Sequence, residues 1–472
     1  MPYVVIEDFK LGLDRRKSPA ASTPGSLQQL SNAHINRGGE IQKRLAFVPK
    51  YQLPAGTFGL RGANGQLTVF GSTGVSVPAG INLQLLSPVG GSASMTRLND
   101  AAFFNGKIFA SADFSDGTSR CFYDGSAVTD WDAGSGAITI QGKRANAVLT
   151  VKNKVYAINE SLLNFSSVDS PRLWDSGAGY GFINMSNESA GSEALTGMGR
   201  YLGLLAVFAR RNTQIWYLDP DPIQNAQRQV LPNIGTFAPK SIVNFGDIDI
   251  IFLSDTGIRS LKARDASNSA AVNDVGTLID DDVIAYMRTL TEDQKVAAAA
   301  VQEPNDGRYL LSLGNRAYVF SYYPSTRISA WSTYDLGFEV TDYVAMDGKV
   351  YARAGDTIYL YGGDDGETYD DAPVVIETPF IDGRGVASWK RFTGWDAVSE
   401  GQWKVEICTD PDRPDAWSHI GTLKEGTVAT VAGLNLGLTA ESPMIKFRMT
   451  NERAGPAKLS KLIVHYQAEP SN

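Results

Sequence analysis

The chain has 472 residues, 43% of them hydrophobic and 20% charged, with a net charge of −8; this is an ordinary globular composition with enough apolar residues for a sizeable core, and it excludes wholesale disorder. The length exceeds one compact unit of about 100–200 residues, so two domains, or one large repeat fold with an appendage, are expected. The charge is uneven: residues 1–50 hold eight Lys or Arg against four acids, a balance of +4 that leaves −12 for the remainder, which excludes a body that grips nucleic acid through a basic face.

The opening residues, MPYVVIEDFK, carry acids where a signal peptide needs cations before an apolar core. No run approaches the roughly 18 apolar residues of a membrane span. Neither secretion by a standard signal nor membrane insertion is expected. Residues 1–55 are rich in Ser, Gly, Pro and Asn and read as an extended, loop-like basic leader lying along other parts of an assembly.

From residue 56 a theme repeats: a β-branched or aromatic run, a Gly, Asn or Asp turn, then another run. It recurs near Gly65, Gly106, Asn153, Asn212, Gly246, Gly307 and Gly348, at separations of 41, 47, 59, 34, 61 and 41 residues. Asn-Gly and Asp-Gly between alternating runs mark hairpins, because a two-residue turn needs positive φ at its centre. A four-stranded propeller blade takes about 40–50 residues. The expected fold is therefore all-β: an irregular β-propeller of about six or seven blades over residues 56–371.

One stretch interrupts the strands. In TLIDDDVIAYMRTL, Thr277 is placed to cap a helix with Asp280 three residues on, and Ile279, Val283, Ile284 and Met287 share a face. TEDQKVAAAAV repeats the pattern with Thr291 and Gln294. Two short helices are expected between blades, within 277–301. After Tyr361 comes the acidic GGDDGETYDDAP, and residues 372–472 return to alternating strands such as WKRFTGWDAV and SPMIKFRMTN, which predict a C-terminal β-sandwich-like domain.

Catalytic constellations are missing from the sequence. His34, His419 and His465 belong to no metal-binding cluster, and Cys121 and Cys408 have no redox or metal spacing, so buried free thiols are expected. There is no Gly-x-Ser-x-Gly elbow and no phosphate loop. Asp280–Asp282 reads as the acidic first turn of a helix. GGDDGETYDD and DPDRPDAW (Asp410 to Trp417) read as a solvated linker and a Pro-stiffened loop rather than calcium or glycosidase sites. Trp131, Trp174, Trp216 and Trp331 suit packing between blades better than a sugar platform. No catalytic residue, metal or cofactor is expected.

Three segments carry a resemblance. The run FKLGLDRRKSPAASTPGSLQQLSNAHINRGGEIQKRLAF has a Gly-aliphatic-Asp-Arg start, a Pro-Gly bend and a GEIQKRLAF ending. It resembles the leader of the tail nozzle, or tail tubular protein B, family of short-tailed bacteriophages and of related phage stabilisation or hub proteins. IGTFAPKSIVNFGDIDIIFLSDTGIRSL and RYLLSLGNRAYVFSYYPSTRISAWSTYDL are similar to later segments of that family, in the same order.

The resemblance implies a non-enzymatic virion tail protein, assembled in the host cytoplasm. Its expected form is a homo-hexameric ring beneath portal and adaptor proteins, contacting fibre or spike proteins, with a channel that passes double-stranded DNA. In that reading, leader cations pair with acidic surfaces of a neighbour, while an acidic body limits adhesion of passing phosphates. Arg15, Arg16, Lys43 and Arg44 are the expected assembly contacts; the channel lining is not legible. Two other classes compete: a carbohydrate-binding or sugar-cleaving propeller, and a peptide-binding adaptor.

Overall fold

The computed structural model describes all residues except 1–2, 8, 24, 88–91, 125–127, 131–144, 189–192, 247–248, 263–273, 384–387, 425–439 and 469–472. The molecule is all-β, built from many small sheets.

After residue 55 the chain lays down sheets in succession, over residues 58–85, 95–130, 147–184, 195–232, 243–260, 299–335 and 342–361. Within most of them, neighbouring strands are consecutive and antiparallel, joined by tight turns. Asn105 and Gly106, at φ 48° and 75°, form one such turn, and a β-branched residue at either position would resist that backbone. The last strand of the first sheet, Ile81–Leu85, departs from the pattern by pairing parallel to Gln66–Gly71. The expected turn positions near Gly65, Gly106, Asn153 and Gly348 lie between paired strands, whereas Asn212 opens a strand after the turn at Arg210 and Arg211.

The first strands of consecutive sheets pack on one another. Phe58–Ala63 touches Met95–Phe104, and so on around to Asp342–Met346, which returns to Phe58–Ala63. Small up-and-down sheets whose first strands close a ring are the architecture of a β-propeller.

The leader corrects the sequence-based expectation. Among the described residues of 1–55 are seven strands: β1 (Tyr3–Ile6), β2 (Gly12–Leu13), β3 (Ser26–Leu27), β4 (Gln29–Ser31), β5 (Ala33–Ile35), β6 (Ile41–Lys43) and β7 (Phe47–Gln52). β7 is the outermost strand of the final ring sheet, pairing Phe47 with Tyr361. β4 lies between Ile328–Asp335 of the preceding ring sheet and Val374–Glu377 of the C-terminal region. β1 and β6 both pair with Lys458–Ala468. The leader is thus woven through both parts of its own chain. Five of the seven strands are only two or three residues long, too short to show a period, and although β2 pairs with β3 and β5 with β6, the partners that tie the leader to the rest lie hundreds of positions away.

Beyond residue 372, Val374–Glu377, Lys446–Asn451, Trp403–Cys408 and Ser418–Leu423 extend the sheet that β4 enters. Lys390–Glu400, Lys458–Ala468 and Ala440–Ser442 form a second sheet with the leader strands β1, β5 and β6. The two share a core that includes Trp395, Trp403, Phe447, Leu462 and Val464. Fully burying each large side chain there stabilises the fold by about 1.5–3 kcal/mol.

Two helices, α1 (Asp280–Met287) and α2 (Glu292–Val296), separate the ring sheets over 243–260 and 299–335. In α2, Thr291 and Gln294 form the expected reciprocal capping box. In α1 the expected Thr277 cap is absent. The residue at that position is Ile279, with no side-chain bond, because Thr277 Oγ1 donates to the Asp274 carbonyl and Asp280 is drawn to Arg259 Nη1 at 2.8 Å.

Candidate functional site

Two places concentrate buried polar chemistry: the axis of the ring and the seam where the leader joins it. At the axis, single charged residues project from the first strands of different sheets. Arg61 Nη1 donates to Asp342 Oδ1 at 3.1 Å and its Nη2 to Asp100 Oδ1 at 3.0 Å. Lys240, in the short 3-10 helix Pro239–Ser241, reaches the same Asp342 oxygen at 2.8 Å. Asp100 Oδ2 in turn accepts from the Val148 backbone N–H at 2.9 Å.

Burial works to raise the carboxyl pKa of Asp342, but the charges of Lys240 and Arg61 outweigh it and hold the group below the usual carboxylate value. Two cations and two carboxylates balance, so this set carries no net charge. Arg353 adds bonds to backbone across the ring closure, its guanidinium donating to the carbonyls of Gly59 at 2.7 Å and Thr57 at 2.6 Å.

Two cavities flank this network, of about 280 Å³ and 550 Å³. The larger has apolar walls from Phe58, Leu98, Phe237 and Pro239. Their size suits a small molecule. No group of three or more His, Cys, Asp or Glu placed to hold a metal occurs among the described residues. Spacing alone could not have revealed this cluster, since Arg61 and Asp342 are 281 positions apart.

At the seam, the four leader cations singled out by the sequence divide into two pairs. Lys43 and Arg44 are buried, at 0% and 3% exposure. Lys43 Nζ donates to Asn451 Oδ1 at 3.3 Å and to the Arg453 carbonyl at 2.6 Å. Burial pushes its pKa down. Arg44 donates to Asn32 Oδ1 at 3.0 Å, the Leu45 carbonyl at 2.9 Å and Asp370 Oδ2 at 2.8 Å. Both make their contacts inside their own chain.

Arg15 and Arg16 are half-exposed. Arg15 donates to the Gln28 carbonyl at 2.7 Å and lies 3.5 Å from Asp282; Arg16 Nε donates to Asp14 Oδ1 at 3.1 Å.

The same rule covers other leader cations, with Arg37 on Asp306 and Lys50 on Asp364. The acids of the 363–371 linker, expected to be solvated, thus partly neutralise the leader. Of the acidic first turn of α1, Asp282 accepts from Arg316 and from the Tyr318 hydroxyl.

The remaining candidates stay apart. His34 is buried and shares a 2.9 Å hydrogen bond with the Tyr334 hydroxyl; burial, then the Arg308 charge, lowers its pKa well below the usual histidine value. His465 meets Asp396 at 2.8 Å, and His419 lines an open groove. Cys121 and Cys408 are buried, and neither forms a disulfide. Trp174, Trp216 and Trp331 are buried, and Trp131 lies outside the described residues.

The three segments of the resemblance, residues 9–47, 234–261 and 308–336, meet in one apolar core. It draws Phe9, Leu13 and Leu30 from the first, Phe237, Ile251 and Ile258 from the second, and Tyr309, Phe320 and Trp331 from the third. Gly12 pairs with Trp331, and Ser31 with Thr333.

No family model and no curated protein matches the chain. Similar solved structures include PorZ, a surface component of the type-IX secretion system of Porphyromonas gingivalis, at 14% identity and a TM-score of 0.37 over 74% of this chain and 44% of that one. They also include a catalytically inactive virginiamycin B lyase from Staphylococcus aureus with quinupristin, at 10% identity and 0.35 over 60% and 88%. BamB from Moraxella catarrhalis is similar at 10% identity and 0.34 over 76% and 97%. The chain spans less than half of PorZ, and none of these likenesses bears on activity.

Proposed function

We propose that this is a structural, non-enzymatic virion protein of the tail nozzle, or tail tubular protein B, type. In this reading copies associate into a ring, a hexamer by the resemblance, below portal and adaptor proteins. The ring retains the genome and passes DNA during ejection. The finer architecture belongs to the same proposal: a propeller of seven blades, with β7 completing the last, and a C-terminal β-sandwich that shares strands with the leader.

The observation that carries the reading is the meeting of the three resembling segments in one core, although they are spread over more than 300 positions. Motifs held together this way preserve a shape rather than a reaction centre. The DNA path in this proposal runs between copies. The axial cavities of one chain, at about 280 Å³ and 550 Å³, are far too small for a duplex whose major groove alone is about 12 Å wide. A body at −12 beyond the leader limits adhesion of phosphates to the lumen.

A second reading, a carbohydrate-binding propeller, draws on the apolar-walled 550 Å³ cavity and predicts saturable binding of a glycan there. Native mass spectrometry with negative-stain imaging, alone and with portal–adaptor complexes, separates the two. A ring with a central hole, alone or on the adaptor, is expected. A chain that stays monomeric and ignores the adaptor would sink the nozzle reading, and glycan binding by that monomer would favour the second.

A further inference from the structure

The two axial cavities adjoin, because Asn146, Lys240 and Asp342 line both of them. The hydrogen bonds of these three groups show what the cavities leave unmet. Asp342 is saturated: Oδ1 accepts from Arg61 and Lys240, and Oδ2 from the Thr341 hydroxyl at 3.1 Å.

Lys240 is not saturated. Its Nζ donates to Asp342 Oδ1 at 2.8 Å and to the Thr341 carbonyl at 3.0 Å, whereas an ammonium has three donors. Its side chain is 25% exposed, so the third N–H can be reached from the cavity it lines. Asn146 is the complementary case. It is half-buried and donates Nδ2 to the Leu195 carbonyl at 2.9 Å, while its Oδ1 accepts no hydrogen bond among the described residues and is not sealed from solvent.

One donor and one acceptor therefore stand where the cavities join, and the 550 Å³ side is walled by Phe58, Leu98, Phe237 and Val296. The charges there already balance, Arg61 and Lys240 against Asp100 and Asp342, and the outer wall adds one of each sign, Arg97 and Asp293. A carboxylate could meet Lys240 but would turn its second oxygen on Asn146 Oδ1 and Asp342. An ammonium could meet Asn146 but would stand beside Lys240. A glycan would bury several hydroxyls against apolar walls without partners, which is costly.

We propose that the axis binds an uncharged small molecule with an apolar body and an amide edge, its carbonyl accepting from Lys240 Nζ and its N–H donating to Asn146 Oδ1. The apolar body fills the larger cavity, whose size is in the range of small-molecule sites. The site lies within one chain, so it stands or falls independently of ring formation.

The test is a saturation-transfer NMR titration of the full chain with benzamide, benzoate, benzylamine and methyl glucoside at neutral pH. The first three share a ring and differ in the head group. Benzamide is expected to bind about tenfold or more tighter than either charged analogue or the glycoside. Ala297→Trp, at the end of α2, fills the larger cavity and should abolish binding. Lys240→Met should weaken benzamide and strengthen benzylamine, because the repelling cation is gone; a merely structural role would not reverse that preference. Should Lys240→Met not fold, the analogue series and Ala297→Trp decide alone. No benzamide binding, equal binding of the charged analogues, tighter binding of the glycoside, or unchanged affinity in Ala297→Trp overturns the proposal.

Discussion

The two ends of the leader hold similar charge and put it to opposite uses. At residues 43 and 44 the cations are buried inside the molecule, Lys43 on Asn451 and Arg453, Arg44 on Asn32 and Asp370. Around residues 10–17, Arg15 and Arg16 are 45% and 42% exposed, Arg15 facing a partly exposed Asp282 and Arg16 a buried Asp14. The difference teaches that a basic segment in an acidic chain announces acidic partners without saying whose they are. Burial decides. A cation with almost no exposed surface is committed to its own fold, whereas a half-exposed one can exchange its partner for an acid on another molecule.

The sharpest way to break the comparison is Arg44→Met. The change removes three hydrogen bonds and leaves Asn32 and Asp370 without their cation. Breaking a fully buried pair from one side costs about 3–5 kcal/mol, and the solvent that reaches Asp370, at 32% side-chain exposure, brings the cost here to the lower end of that range or below it. The expected result is a large fall in the denaturant midpoint of the full chain at unchanged slope. A loss below about 1 kcal/mol would place Arg44 with the exposed pairs and dissolve the distinction.

Gly12→Ala tests the other end, where backbone rather than charge makes the attachment. Gly12 sits at φ +57°, and a Cβ there would lie 2.6 Å from the Trp331 carbonyl oxygen and 2.8 Å from its nitrogen. Strain at such a position costs about 1–3 kcal/mol. The expected outcome is a smaller midpoint shift than for Arg44→Met, read in the same unfolding experiment. An unchanged midpoint would mean that β2 is not held against Trp331.

How much of this was legible in the sequence follows from distance along the chain. Turns such as Asn105-Gly106 and the Thr291–Gln294 box are local, and residue types within four positions determine them. Five of the seven leader strands are two or three residues long, below the length at which period-two alternation speaks. They pair with residues such as Trp331 and His465, which nothing nearby marks as partners.

The axial charges were hidden for the same reason. Arg61, Asp100, Lys240 and Asp342 are unremarkable singly and acquire meaning only when the ring brings their strands together. Thr277 misled because its cap signal was real but lost to a tertiary contact, the Arg259–Asp280 pair.

The smallest expected effect, and the one that bears most on assembly, comes from Arg15→Ala with Arg16→Ala. Both guanidinium groups are about half in solvent, which screens their pairs to about 1 kcal/mol, so folding at neutral pH should change little, most of it from the buried Asp14. Its pH dependence is specific. Burial raises the Asp14 carboxyl, but hydrogen bonds from the Arg16 side chain and backbone, with its charge, outweigh burial and hold it below the usual carboxylate value.

A folded pKa below the unfolded value of about 3.9 stabilises above that pH, and the contribution disappears as pH falls through the folded pKa. The gap between wild type and variant should therefore be present near neutrality and close on acidification, measured by unfolding midpoints across pH. Ring formation is the discriminating readout. If Arg15 and Arg16 exchange their partners for a neighbour's acids, the variant should lose assembly far out of proportion to its small loss of stability. If rings form as before, Asp14 and Asp282 account for both residues, and the whole leader, exposed end included, works within its own chain.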